Sequence, residues 1–194
     1  MRDKSRKLNG LYVPYRLHQE DFAQAMGISA IHKYEKNKER YLKQLFDVLR
    51  NYSAEPITDQ MKLWDICIFN YLVGNTDNHI KNLSLLYGED LKTIRLAPAY
   101  DIINTMAYEN CTENMALSID GIYDINQITR ESFEKEAEYI GLGKKVAMIR
   151  FDTMVNKFVK AMKLAQNELK EQGFHQVDEI CNKILEKGGI KRFL

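Results

Sequence analysis

A dense run of polar residues, Gly74 to Asn82, holds the side chains best suited to chemistry. Within it Asp77 precedes Asn82 by five positions, and a third oxygen donor, Asp101, follows a predicted pair of short strands. Magnesium ions in proteins take hard oxygen ligands, commonly one or two carboxylates together with substrate phosphates. A carboxylate can also orient a hydroxyl group and accept its proton. The spacing of Asp77 and Asn82 matches a phosphoryl-transfer loop in which the aspartate is the base and the asparagine holds metal.

Two cationic or hydrogen-bonding side chains, His79 and Lys81, lie in the same run and could face phosphate oxygens. Asp, Asn, Thr and Gly also crowd together in ordinary turns, because they tolerate left-handed backbone and cap helices. An Asp and an Asn at this spacing therefore have a plain loop as an alternative interpretation. Two features favour catalysis: the run follows the most apolar helix of the chain, and its acids flank a predicted hairpin.

The elements that must position this run are mostly helical. A predicted helix over 59–72, with Thr58 as its N-cap, is apolar on nearly every side, which indicates a buried central helix. Strands are predicted over 83–87, 93–96 and 114–119, and further helices over 18–26, 36–52, 130–141, 144–171 and 176–187. The predicted fold is mainly α, a helical domain like a kinase C-lobe, with a small β-hairpin that carries the metal site.

Composition argues against several classes of function. The 194 residues include 28 basic and 27 acidic side chains, and a net charge of +1 does not suit a surface that coats nucleic acid. Three cysteines without a CxxC pair predict neither a disulfide framework nor a zinc site. No apolar run approaches the roughly 18 residues of a membrane span, and the first residues lack the apolar segment of a signal peptide. We therefore expect a cytoplasmic protein that contacts neither nucleic acid nor membrane directly.

Three blocks of the sequence resemble the C-terminal kinase lobe of the HipA family, serine/threonine kinases that act as toxins in bacterial toxin–antitoxin pairs. Residues 16–27 resemble its R-L-x-Q-E-D segment, and residues 74–84 its G-x-x-D-x-H-x-K-N-x-S catalytic loop. Residues 96–103 resemble its L-x-P-x-Y-D block, which carries a metal-binding aspartate. The blocks occur in the family's order and cover about residues 10 to 105.

The resemblance implies a role for each matching residue of the phosphoryl-transfer set. Asp77 would be the catalytic base that orients the acceptor hydroxyl. Asn82 and Asp101 would bind Mg²⁺ beneath the phosphates of ATP.

Four further residues would lie near the nucleotide. His79 and Lys81 would touch phosphate or brace the loop, and Tyr100 and Gln19 would lie close to ATP. Core packing is the alternative for Tyr100, and bracing of a loop or helix start is the alternative for Gln19.

The chain departs from such kinases in one respect. It contains no G-x-G-x-x-G segment of the kind that covers the phosphates of ATP, and only about 15 residues precede the first matching block. We therefore expect residues 1–194 to correspond to the C-terminal lobe alone, without the N-terminal lobe that clamps ATP.

Three functions follow as hypotheses. The first is an ATP- and Mg²⁺-dependent kinase of protein serine or threonine. For this function the resemblance implies a HipB-like helix-turn-helix antitoxin and an N-terminal lobe as partners. It also implies substrates in the translation machinery. The second is a catalytically incomplete fragment that serves as a partner-binding helical module. The third is a small-molecule kinase of the aminoglycoside or choline type, which uses the same order of Asp, Asn and Asp. The 19–21 segment and Tyr100 favour the toxin family over the third.

Overall fold

The computed structural model describes residues 5–36 and 39–194. About half of the chain is helical, and short strands form three small sheets. The helices are α1 (Phe22–Ala25), α2 (Tyr41–Tyr52), α3 (Pro56–Val73), α4 (Arg130–Tyr139), α5 (Lys144–Glu171) and α6 (Val177–Lys187). The strands are β1 (Ser5–Leu8), β2 (Leu11–Pro14), β3 (Gln19–Asp21), β4 (Ser84–Tyr87), β5 (Ile94–Leu96), β6 (Asn114–Ile119) and β7 (Ile122–Asp124). Short 3-10 turns cover Ala30–His32, Thr105–Ala107 and Gly189–Phe193. The mainly helical prediction is confirmed.

Helix α3 is the centre of the molecule. Its buried residues lie on several faces, as predicted, because α2, α5 and the C-terminal turn all pack around it. The prediction of Thr58 as its N-cap is wrong: the N-cap is Glu55, and Pro56 takes the first helical position. Proline suits that position, since its fixed φ is already helical and its missing N–H would have had no partner in the helix.

An aromatic cluster joins α3 to α4 and α5. Phe133 of α4 is fully buried and its ring lies 5.7 Å from that of Trp64, 5.1 Å from that of Tyr71 and 4.7 Å from that of Phe151. The indole N–H of Trp64 donates to the carbonyl of Ala147 over 3.0 Å, so its buried polar group is satisfied. This packing fixes α3 rigidly in the core.

The predicted hairpin is confirmed as β4 and β5, and a third strand, β3, pairs with β4 on its other side. The prediction of one helix over 18–26 is therefore wrong for its first half. Gln19 lies opposite Leu86 in the antiparallel ladder, and the helix begins only at Phe22. Asp21 ends the strand and caps α1, because its side chain accepts from the backbone N–H of Gln24.

Strand β6 has the predicted bounds, and it pairs with β7, which was not predicted. The backbone N–H of Ala116 in β6 donates to the carbonyl of Thr76 over 2.8 Å. This sheet therefore supports the polar run from one side. None of the helices in the described ranges combines the length and apolar character that crossing a membrane requires.

The C-terminal turn Gly189–Phe193 packs against the end of α3. A Cβ atom on Gly189 would lie 2.5 Å from Cζ of Tyr71, so only glycine allows this close approach. Ile190 beside it is buried. The last residues of the chain thus form part of the core under the polar run.

Candidate active site at the end of α3

Helix α3 ends at a left-handed glycine and leads directly into the polar run. Gly74 has φ 78°, and its N–H donates to carbonyls of the last helical turn. The carbonyl of Gly74 accepts from the hydroxyl of Thr105 over 3.0 Å, and the backbone N–H of Thr76 donates to the same hydroxyl over 2.7 Å. These buried hydrogen bonds hold the loop in one conformation as it leaves the helix.

The side chain of Asn75 connects three parts of the site. Its Nδ2 donates to Oδ1 of Asn70 over 2.7 Å and to the carbonyl of Asp101 over 3.2 Å. Its Oδ1 accepts from the backbone N–H of Asp77 over 3.2 Å. One amide therefore ties the end of α3 to the predicted base and to the block that carries the predicted metal aspartate.

The carboxylate of Asp77 is partly exposed and lines a cleft of about 1000 Å³. Its Oδ1 accepts a hydrogen bond of 2.8 Å from the hydroxyl of Tyr34. Sequence reasoning missed Tyr34, because the two residues are 43 positions apart and no spacing pattern connects them. The contact leaves Oδ2 of Asp77 for another donor.

The two predicted metal ligands lie at the same end of α3 as Asp77. Asn82 is only 9% exposed, and its Nδ2 donates to the carbonyl of Asp77 over 3.1 Å, which leaves its Oδ1 for a ligand. Asp101 is exposed and has φ 55°, a left-handed backbone that turns the chain at this point. An amide oxygen and a carboxylate are hard donors of the kind that Mg²⁺ prefers.

Acidic, histidine and cysteine side chains do not by themselves form a metal cluster of three or more within residues 5–36 and 39–194. A magnesium site here would therefore rest on few protein ligands. This is the usual situation for Mg²⁺ bound with a nucleotide, because phosphate oxygens and water complete its six ligands.

His79 is buried beside the base. Its ring makes an edge contact with the ring of Tyr34, with centroids 5.3 Å apart. Burial and the nearby charge of Lys33 lower the pKa of His79, and the carboxylates of Asp77 and Asp101 only partly oppose this. The lowered pKa favours neutral His79 at neutral pH, so of the two predicted properties, positive charge or hydrogen bonding, it favours hydrogen bonding.

The other three predicted nucleotide residues lie on the far side of the loop, near β3 and β4. Tyr100 is 39% exposed, which argues against simple core packing, and its hydroxyl bonds with Ser84 Oγ over 2.6 Å and with the carbonyl of Lys81 over 2.9 Å. The ammonium of Lys81 lies 3.5 Å from a carboxylate oxygen of Asp21. Tyr100 and Lys81 thus lie together, whereas Gln19 is exposed on β3.

Comparison with known proteins identifies the family to which the chain belongs. The sequence profile of the HipA-like C-terminal domain matches residues 3–162. The chain is 36% identical over 160 residues to the Sinorhizobium fredii protein named "Putative kinase Y4mE", covering 82% of this chain and 37% of that protein. It is 26% identical over 157 residues to the serine/threonine-protein kinase toxin HipA of Shewanella oneidensis, covering 76% of this chain and 36% of that protein.

A solved structure shows the same fold. The structure of HipA with HipB and operator DNA from Shewanella oneidensis matches 98% of this chain and 47% of the solved chain, with a TM-score of 0.77 and 23% identity. The chain spans little more than a third of the length of these curated relatives. The profile match and the 36% identity together show that the chain belongs to the family of HipA-like C-terminal domains.

Proposed function

We propose that this chain is the catalytic lobe of an ATP- and Mg²⁺-dependent kinase that phosphorylates a serine or threonine hydroxyl of a protein. One observation carries the proposal: Asp77, Asn82 and Asp101 meet around one loop. The side chain of Asn75 bonds to the backbones of Asp77 and Asp101, and the side chain of Asn82 donates to the carbonyl of Asp77. The kinase names of the relatives support the reaction class.

The base is the part of the reaction that the chain itself supplies. Oδ1 of Asp77 is held by Tyr34, so Oδ2 can accept the hydrogen bond of an acceptor hydroxyl and then its proton. The cleft beside Asp77 gives the acceptor a path to this oxygen. The metal candidates Asn82 and Asp101 do not line that cleft, so nucleotide and acceptor would approach the base from different sides.

Asn82 and Asp101 would hold Mg²⁺. When bound, the ion neutralises charge on the transferring phosphoryl group. On the same side, Lys81 would donate to phosphate, and the partly exposed ring of Tyr100 would face the nucleotide. Neutral His79 would donate a hydrogen bond or brace the loop, and Gln19 would approach the nucleotide from the edge of β3.

Two partners complete the proposal. Phosphoryl transfer needs groups that clamp the phosphates from above, which a second, N-terminal lobe would supply. A HipB-like antitoxin is the second partner, because the structurally similar protein was solved with HipB and operator DNA. The translation machinery is the proposed source of the substrate, and the cytoplasm the proposed location.

Calorimetric titration of the chain with ATP tests the nucleotide site. We expect binding that requires Mg²⁺ and that falls at least tenfold in Asp101→Ala, because a carboxylate ligand is lost. Glu109→Ala, an exposed acid outside the loop, is the matched control and should bind as the wild type does. Binding that ignores both Mg²⁺ and the Asp101 variant would contradict the proposal.

Transfer of phosphate from labelled ATP tests the reaction. The chain is mixed with the N-terminal lobe of a HipA-family kinase and offered bacterial lysate proteins or hydroxylated small molecules such as aminoglycosides and choline. Label on protein serine or threonine supports the proposal. Label on small molecules alone would indicate the small-molecule kinase, and no transfer with intact partner binding would indicate the helical binding module.

A further inference from the structure

The hydroxyl of Tyr34 occupies one oxygen of the proposed base. It donates to Oδ1 of Asp77 over 2.8 Å, although the ring itself is 41% exposed. A tyrosine on the surface normally gains little from such a bond, since water can replace it. The hydrogen bond can therefore position Asp77 only if the segment that carries Tyr34 is itself held in place.

The neighbouring residue holds that segment. Glu35 is buried, and its carboxylate accepts from the hydroxyl of Ser118 over 2.6 Å and from that of Tyr123 over 3.0 Å. Its backbone N–H donates to the carbonyl of Ala116 over 3.2 Å. Glu35 thus anchors the segment to the β6–β7 sheet.

The same sheet also holds the loop of the base. Ala116 donates its N–H to the carbonyl of Thr76, the residue before Asp77. The segment of Tyr34 and the loop of Asp77 are therefore both fixed relative to β6. The hydrogen bond between the two side chains then joins groups that β6 already holds close to each other. A hydrogen bond between two groups that are already positioned loses little conformational entropy when it forms.

Two contacts keep the Tyr34 ring in its orientation. The ring of His79 meets it edge to face at 5.3 Å, and the ammonium of Lys33 lies 4.7 Å from its centroid. Burial of the phenol and the hydrogen bond to Asp77 raise the pKa of Tyr34, so the hydroxyl stays protonated and remains a donor at neutral pH.

We infer that Tyr34 is a positioning residue for Asp77, and this inference rests on the proposed function. Its hydroxyl fixes the carboxylate so that Oδ2 is presented to the cleft and remains free for the acceptor. Without the hydroxyl, the carboxylate can rotate about χ1 and χ2, and a misplaced base loses much of its effect.

The first test examines the hydrogen bond without any assay of transfer. In chain labelled with ¹³C at tyrosine Cζ, the Tyr34 resonance is the one that disappears in Tyr34→Phe. We expect that resonance to shift in Asp77→Ala and to stay in place in Asp178→Ala, an exposed acid of α6. An unchanged Tyr34 resonance in Asp77→Ala would overturn the inference.

The second test separates positioning from binding. In the reconstituted transfer assay, Tyr34→Phe should lower kcat by about 10- to 100-fold and leave the affinity for Mg²⁺·ATP within about twofold of the wild type. Tyr52→Phe removes the hydroxyl of a tyrosine that is 66% exposed at the end of α2, and it should leave both quantities unchanged.

Three further results would overturn the inference. An unchanged kcat in Tyr34→Phe would show that the hydroxyl does not matter, and a raised kcat would show that it competes with the acceptor. Phosphate on Tyr34, detected by mass spectrometry, would show that it is itself an acceptor. The proposed function fails separately, since it predicts that Asp77→Ala abolishes transfer whatever Tyr34→Phe does.

Discussion

Two aspartates lie at opposite ends of α3 and have opposite surroundings. Asp59, in the first turn, is fully buried, and its Oδ2 accepts from Ser53 Oγ over 2.7 Å, from Arg95 Nε over 2.9 Å and from the N–H of Leu96 over 2.9 Å. Asp77, after the last turn, is partly exposed, and among residues 5–36 and 39–194 its one side-chain donor is the hydroxyl of Tyr34.

The difference separates an acid that holds the fold from one that keeps an oxygen for a further donor. The carboxylate of Asp59 is saturated by donors of the fold itself, so no substrate could use it. The carboxylate of Asp77 keeps an oxygen free, and a rigid framework holds that oxygen at a cleft. Both residues are aspartates in polar stretches of the sequence, so their charge does not distinguish them. The number of hydrogen-bond donors around each carboxylate does, and it is this number that predicts the role of each.

The largest effect that the comparison predicts is on catalysis. Asp77→Asn keeps the shape of the side chain and removes its basicity, so transfer in the reconstituted kinase should fall by about 10³-fold. The midpoint of urea unfolding should stay close to that of the wild type, because the lost contacts lie at the surface. A rate of transfer within a few-fold of the wild-type rate would contradict the assignment of Asp77 as the catalytic base.

The same substitution at the other end of α3 should act on stability instead. Asp59→Asn leaves the charge of Arg95 without its main partner and should lower the free energy of unfolding by about 3 kcal/mol, measured by urea unfolding. Glu55→Gln changes only the exposed partner of Arg95 and should cost less than about 1 kcal/mol. Equal losses in the two variants would contradict the assignment of Asp59 as the acid that holds this end of α3 together.

The smallest predicted effect is a dependence of stability on pH. Burial by itself would raise the pKa of Asp59, and the hydrogen bonds from Arg95, Leu96 and Ser53 outweigh it, so the pKa lies below its usual 3.8. A lowered pKa contributes stability above the unfolded value and loses it as the pH falls through the folded value.

Unfolding in urea at a series of pH values between about 5 and 2 measures this contribution. The wild type should lose stability more steeply than Asp59→Asn as the pH falls through this range. Parallel curves for the two proteins would show that Asp59 is not the responsible group.

The elements that the sequence predicted best are those fixed by local pattern. The bounds of β6 and of α5 agree with the prediction, because alternation and helical periodicity are properties of neighbouring residues. The strand Gln19–Asp21 was wrongly predicted as helix. It forms because it pairs with β4, and that pairing joins residues more than sixty positions apart. Local pattern carries no information about such a partner.

The candidate site divides in the same way. The polar run and its spacing gave Asp77, Asn82 and Asp101, whose metal and base roles stay predictions. The bond of Tyr34 to Asp77 and that of Asn75 to Asp101 could not be found, because they join residues 43 and 26 positions apart. The sequence left open whether His79 is charged or a neutral hydrogen-bonding group, because burial, which lowers its pKa, depends on the fold.

The close packing of Gly189 on Tyr71 shows that the C-terminal turn belongs to the same folded domain as α3. The family profile ends at residue 162, but the turn Gly189–Phe193 covers α3 and α6 packs on the turn Thr105–Ala107, whose Thr105 holds the loop of Asp77. A fragment cut at the end of the profile would therefore expose the underside of the site to water. The limits of sequence similarity are narrower here than the limits of what must fold together.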